Sequence, residues 1–530
     1  MAHTSITHRC IVFLLLVLFF LSLFSPVKAY KTNGIFCKTD ISTHFNYRAL
    51  VSHKPLRINN DSEFNTMFPN RTIECLEING TGYGYCIFIG NCSQAFTIKD
   101  CFLHNASGNI TPYSFNTGLY LYHSLNAIIS NNSFSGNDDG ISLWDSTDNI
   151  IENNSCTSNF IYGISLFSSY NNIIKNNKLF NCGLNLEGTR IYHFNMNVIG
   201  QDNTVNNKPI CYMKNQTNSI IPDGIGQVFL ANCSGITIKN RVFSNCSVGI
   251  VLAFTNKTVI SNNIFYRNTD GISCLYSNNN TITNNSYNIG SYSSFYSMYS
   301  DNNVIVNNSC LNYNGSAIQL FKSNDNIIKS NNYSENGCGI YIEYSGHCLI
   351  IDNYCCINEQ NGITVLFSFD IKIYGNNCIK NKQNGMWIIF AGNNDISENN
   401  FINNKLYGID ISNPFPPTIS NCNRIYLNNL IDNNGATSKF DGSHIQVRDE
   451  TGTNYWNNSE KGNYWSDWTG PDNNHDGIVD AAYILDGGAG AKDYYPLANP
   501  VVVTEFSPVS IILLSVILIT MVLVWFRRTK

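Results

Sequence analysis

The sequence predicts an all-β fold, a single-stranded parallel β-helix solenoid, and three observations predict it. The first is a Gly-Ile-x-Leu phrase that returns every 22 or 23 residues, at Gly118, Gly140 and Gly163, at Gly249 and Gly271, and at Gly339, Gly362, Gly385 and Gly408. Ser294 and Ala317 fall on the same comb. The second is an Asn-rich, β-branched phrase ahead of each Gly phrase, such as Asp148-Asn-Ile-Ile-Glu-Asn-Asn and Asn279-Asn-Thr-Ile-Thr-Asn-Asn. These runs are too short for helices and are bounded by turn residues, so each repeat holds two or three short strands, one rung of a solenoid. The third is the choice of Asn itself. In stacked rungs one side chain recurs at about 4.8 Å, and an amide both donates to and accepts from its copies. Asn and Gly also tolerate the left-handed backbone of a sharp corner. Leucine-rich repeats share the period, but their Leu-x-x-Leu-x-Leu phrase is missing.

Each segment then follows in order. Residues 1–29 join Arg9, an apolar run from Ile11 to Phe24 and Val27-Lys-Ala29, the pattern of a secretory signal peptide cut after Ala29. Residues 30–70 are a weakly periodic N-terminal lead-in or cap, and 71–435 are the β-helix repeats. Between Gly183 and Gly226 the comb skips, which reads as about one extra rung with a lateral loop, either a place for a binding site or a tolerated insertion. Residues 436–500 form a small C-terminal module rich in Trp, Asp and Gly, 501–508 a linker, 509–526 a transmembrane helix and 527–530 a basic cytoplasmic tail. The expectation is an exported, single-pass membrane protein with its solenoid outside the cell.

Composition narrows the partners. Charged residues make up only 13% and the formal net charge is −5, with no basic patch of the kind nucleic acids need. The 19 cysteines contain no Cys-x-x-Cys pair, so some are expected in disulfides and others as small core hydrophobes. Cys355 and Cys378, 23 apart, are a candidate bridge between adjacent rungs.

Two sets of residues stand out as sites. Asp472, Asn474, Asp476, Ile478 and Asp480, around Gly477, follow the oxygen spacing of a calcium loop, with Ile478 offering its carbonyl. Position 12 is Tyr483 in place of the usual Glu, leaving room for another ligand such as Asp467. The alternative is an acidic turn with no metal. The second set is an outward stripe, the x position of each Gly phrase and the position two residues on, holding Tyr120, Tyr122, Trp144, Tyr296, Tyr341 and Trp387. These rings could stack on sugars or on one another. Copper needs His, Met or thiolate clusters, and the ten His are scattered, so copper is unsupported.

The repeat phrases, with Val205-Asn-Asn-Lys-Pro-Ile-Cys-Tyr and Gly226-Gln-Val-Phe-Leu-Ala-Asn-Cys-Ser-Gly-Ile-Thr-Ile, resemble NosD-like proteins over residues 55–500. These are right-handed parallel β-helix proteins of the carbohydrate-binding and sugar-hydrolase (CASH) type. Gly462-Asn-Tyr-Trp-Ser-Asp467 through Asp493-Tyr-Tyr-Pro-Leu looks like the module that closes many archaeal surface members. The resemblance implies a right-handed coil and a copper-processing accessory role. The missing His and Met clusters, the anchor and the Asn-x-Ser/Thr acceptors at Asn105, Asn153, Asn215, Asn256 and Asn307 depart from that role. The leading expectation is therefore a surface β-helix that binds envelope glycans or surface-layer proteins, or serves adhesion or envelope structure. The alternative is a polysaccharide lyase, hydrolase or epimerase. Asp138-Asp139 and Asn268-Thr-Asp270 occur as in polygalacturonase-like enzymes, but in reverse order, 130 residues apart (138 to 268) and without Gly-His-Gly, so they are read as turn residues too distant to share a glycosidic bond.

Overall fold

The computed structural model describes residues 50–108, 116–412 and 421–502. The expected signal peptide, transmembrane helix and basic tail lie outside them. Among the described residues no helix is long and apolar enough to cross a membrane. The described chain is a right-handed parallel β-solenoid of about 15 turns. Pairing begins at Val51, partnered with Leu76, inside the segment expected as a lead-in. A seven-residue helix, Asp61–Met67, capped by the Asn60 side chain, places Phe64 in the first turn's core.

Each rung copies the one below in register. Ile141 and Leu143 pair with Ile164 and Leu166, all four buried, because alternation along a strand sends these two side chains inward. The paired Asn of each repeat divide two tasks. At Asn307-Asn308 the first is exposed and takes φ 55°, turning the corner, whereas the second is 2% exposed and faces inward. The inward Asn form an unbroken column through Asn263, Asn285, Asn308, Asn331, Asn353, Asn376, Asn399, Asn428 and Asn463, each backbone N–H donating to the next Oδ1. The column ends on a carboxylate: Asn463 N–H donates to Asp493 Oδ2 at 2.7 Å, and Trp465 Nε1 donates to the same atom at 3.0 Å. A lone terminal Asp suits this position, since it only accepts and has no copy beneath to repel it.

The expectation of one continuous coil with an extra rung is corrected at residues 184–230. Thr204–Val205 pairs antiparallel with Lys208–Lys214, which then pairs parallel with Gln227–Ala231. The hairpin reverses strand direction within one 18-stranded sheet, so two stacks share that sheet. Its side chains report the exchange: Cys211, Val228 and Ile250 face the core of the second stack, while Ile210, Phe229 and Val251 belong to the core of the first. The face that is outer for the second stack closes the open end of the first. A solenoid end exposes apolar side chains and unpaired strand edges, and this arrangement covers them.

All 17 described cysteines are free thiols, 15 of them buried as small core residues. Cys355 and Cys378 are register partners, as expected, and stand side by side as thiols.

Candidate functional site

The two stacks meet where the first stack's last Gly-phrase strand, Leu184–Glu187, has no further rung to pair with. Gln227 supplies the missing peptide group with its side chain. Its Oε1 accepts from Leu184 N–H at 3.0 Å, and its Nε2 donates to the carbonyls of Leu184 and Val248, each at 2.7 Å. Ser247 makes a second tie, accepting from Gly183 N–H at 2.8 Å and donating to the Ile161 carbonyl at 2.5 Å. These bonds hold open a cleft of about 270 Å³, walled by Tyr162 and Glu187 of the first stack and by Asp270, Tyr292, Tyr296 and Gln319 of the second. No Lys or Arg lines it.

The cleft gathers carboxyls that lie far apart in sequence. Asp139 is the register partner of Tyr162, and Asp270 accepts from Ser293 N–H at 2.8 Å. Burial, then the charges of Asp138 and Glu187, push the Asp139 carboxyl up to about 8. Burial and the Glu187 charge raise Asp270 to about 7. Burial also raises Glu187 and Asp138, the latter opposed by the Asn116 amide, which donates to it at 2.8 Å. The Tyr292 phenol is raised by burial and by the charges of Asp270, Asp138 and Asp139. None of the four carboxylates has an ion-pair partner among the described residues. Carboxyls that hold a proton near neutral pH, beside phenols in an open cleft, can donate to or accept from a ligand's hydroxyl or amine and can exchange protons with it. Asp138, Asp139 and Asp270, from motifs 130 residues apart (138 to 268), all act on the Tyr292 phenol.

The expected outward stripe takes a different form. Tyr120 is 3% exposed and lies against Phe88 at 5.6 Å, and Val251 is buried against the first stack's end. Tyr122, Trp144, Tyr296, Tyr341 and Trp387 are half-buried. Trp144 stacks on Phe167 at 3.8 Å, the Tyr341 hydroxyl donates to Glu343 at 3.4 Å, and Trp387 Nε1 donates to Ser412 at 2.8 Å. Of the six rings, only Tyr296 lines the cleft. One position beyond the second stack's Gly-phrase strands runs a ladder that periodicity had not singled out. Phe254, Tyr276 and Tyr299 stack at 4.8 and 5.1 Å, and Tyr344, Phe367 and Phe390 at 4.8 and 4.9 Å. The rings present their faces to one another, so this column serves the corner.

The loop expected to hold calcium uses its carboxylates on itself. Asp472 accepts from the N–H groups of Asp476 and Gly477, Asp476 from that of Ile478, and Asp480 from Asn473 N–H, while Asn474 Nδ2 donates to Asp476. The ligand atoms of Asp472, Asp476 and Asp480 do not all lie within 4.8 Å of one another. The one cluster of three potential ligand residues among the described residues is Glu74, Cys75 and Asp100. Asp467, suggested as a replacement ligand, accepts from Gln446 at 2.5 Å and from the Tyr483 hydroxyl at 3.2 Å. Tyr483 itself is buried and stacks on Trp465 at 3.9 Å, which explains a phenol at position 12.

Comparisons with known proteins agree with this architecture. Among solved structures, a mannuronan C-5 epimerase A-module from Azotobacter vinelandii matches at 11% identity, covering 68% of this chain and 89% of its own, with a TM-score of 0.37. A periplasmic alginate epimerase matches at 14% identity, covering 76% and 82%, with a TM-score of 0.31. A surface adhesin of Streptococcus pneumoniae matches at 12% identity, covering 65% and 85%, with a TM-score of 0.26. At TM-scores below 0.5 these likenesses carry no argument about this chain. No curated protein matches the chain. A family model described as right handed beta helix region matches residues 56–225. A second, described as periplasmic copper-binding protein (NosD), matches residues 182–361 and 322–470, more than half of the chain. The chain therefore belongs to the NosD family of right-handed parallel β-helix repeat proteins.

Proposed function

We propose that this protein is an envelope-exposed glycan-binding β-helix that grips its ligand in the cleft between the two stacks. The observation that carries this reading is the cleft itself, about 270 Å³ walled by Tyr162, Tyr292 and Tyr296 beside the carboxyls of Glu187 and Asp270. Rings facing a sugar's apolar side, with carboxyls to take its hydroxyls, are the groups a glycan site needs. The leader at 1–29 and the apolar run at 509–526 support export and anchoring at the membrane. A glycan array on the purified full-length protein tests the reading. Binding that falls at least tenfold in Tyr292→Ala supports it, and an array with no bound glycan refutes it.

A second reading, a polysaccharide-processing enzyme, is favoured by one feature: burial pushes the Asp270 carboxyl in the cleft up to about 7, and that of Asp139, the register partner of the lining Tyr162, up to about 8. Turnover of any glycan bound on the array, lost in Asp270→Asn, would establish it. Copper, which the family description names, finds a poor donor set here. The Glu74, Cys75 and Asp100 cluster has no imidazole, and Glu74 is paired with Lys99 at 2.9 Å.

A further inference from the structure

The walls of the cleft also speak to the class of ligand, on the footing of the glycan reading above. Glu187 and Asp270 line it, Asp138 and Asp139 act on the lining Tyr292 phenol, and no cation among the lining residues balances them. An acidic sugar would bring a fifth carboxylate into this group, and like charges at such range repel. A neutral sugar would leave the carboxyls as they are, holding protons near neutral pH, whereas a cation would favour their ionised form. An ammonium group would meet each need at once: it offers donors to the carboxylates, supplies the missing positive charge, and sits favourably over phenol rings such as Tyr292 and Tyr296. The remaining lining groups, Asn185, Ser273, Ser293 and Gln319, are neutral amides and hydroxyls suited to sugar hydroxyls.

We propose that the cleft takes an amine-bearing glycan, a chain of de-N-acetylated amino sugars, and that Glu187 and Asp270 hold its ammonium group. The proposal is distinct from a general attraction of polycations to a chain of net charge −5, because it places the binding at two named carboxyls. The test is calorimetric titration of the full-length protein at pH 6 with three oligosaccharides of equal length: glucosamine, N-acetylglucosamine and galacturonate oligomers. The expected result is glucosamine binding at least tenfold tighter than N-acetylglucosamine, with galacturonate weakest. Asp270→Asn with Glu187→Gln should lower glucosamine affinity at least tenfold and leave N-acetylglucosamine within twofold. A melting curve like that of the unaltered protein shows that the double variant folds, and Glu187→Gln alone, expected to lose at least threefold, serves if it does not. Equal binding of the two amino-sugar oligomers overturns the amine assignment while the glycan reading stands. Glucosamine binding that survives the substitutions also overturns it, since the amine then sits elsewhere. Binding of none of the three overturns the amine assignment, and the array alone decides the glycan reading.

Discussion

The inward asparagine column allows a quantitative test at Asn308. Its Oδ1 accepts from Asn285 N–H at 2.9 Å and from Asn285 Nδ2 at 3.1 Å, while its Nδ2 donates to the Ile282 carbonyl at 2.9 Å and to Asn331 Oδ1 at 3.1 Å. Asn308→Ala removes these four and a fifth, from Nδ2 to the Val306 carbonyl at 3.1 Å. Asn285 Nδ2 keeps a partner in the Ile260 carbonyl, and Asn331 Oδ1 keeps the Asn308 N–H. The Asn285 N–H is left buried and unpaired, and the Ile282 carbonyl loses one of its donors. At about 1–3 kcal/mol for the orphaned N–H and about 0.5–1.5 kcal/mol for the lost carbonyl bond, the expected loss is about 1.5–4.5 kcal/mol. Asn308→Asp keeps the acceptor but buries a charge against a carbonyl, so at neutral pH it should cost at least as much as alanine and recover partly in acid. The neighbouring Asn307, exposed at φ 55°, is the control: Asn307→Gly meets the same corner with no Cβ and should stay within about 1 kcal/mol of the parent. Urea unfolding of the three variants, with hydrogen exchange to localise the effect, reads the differences. A loss below about 1 kcal/mol for Asn308→Ala, or an equal loss for Asn307→Gly, would refute the division of labour between the paired asparagines.

Three further outcomes are expected. Gln227→Leu removes the side chain that completes Leu184–Glu187, so amides in that strand should exchange faster and stability should fall by about 2–4 kcal/mol; unchanged exchange at Leu184 would contradict the role. Asp139 and Asp270 have folded values raised above those of the unfolded chain, so the folded state binds more protons and stability should decline as pH rises from about 4 to about 8. Melting temperatures across that range test this, and Asp139→Asn with Asp270→Asn should flatten the decline. Asp493→Ala orphans Asn463 N–H and Trp465 Nε1 and should cost about 2–5 kcal/mol, measured by urea unfolding.

Legibility followed the range of the interactions. The 22- to 23-residue phrase set the rungs, the inward Ile and Leu and the laddered asparagines, because each rung touches its neighbours and the same contact is written again at every repeat. The stripe of rings was visible as a column, but its covering at Tyr120 and Val251 was not, since what lies over an outer face belongs to a distant part of the chain. The calcium spacing was legible too, whereas the bonding of Asp472, Asp476 and Asp480 to their own loop depends on backbone angles that spacing does not set.

By itself, then, the sequence determined the coil, its period, its polar corners and its family. Only the tertiary structure decided that the coil is two stacks with their cores on opposite faces of one shared sheet, that Gln227 completes a strand it does not belong to, and that Asp139 and Asp270 act on the same Tyr292 phenol. The physical reason is the Thr204–Val205 hairpin: a reversal of strand sense costs only a few residues locally, yet it exchanges inside for outside over every rung that follows.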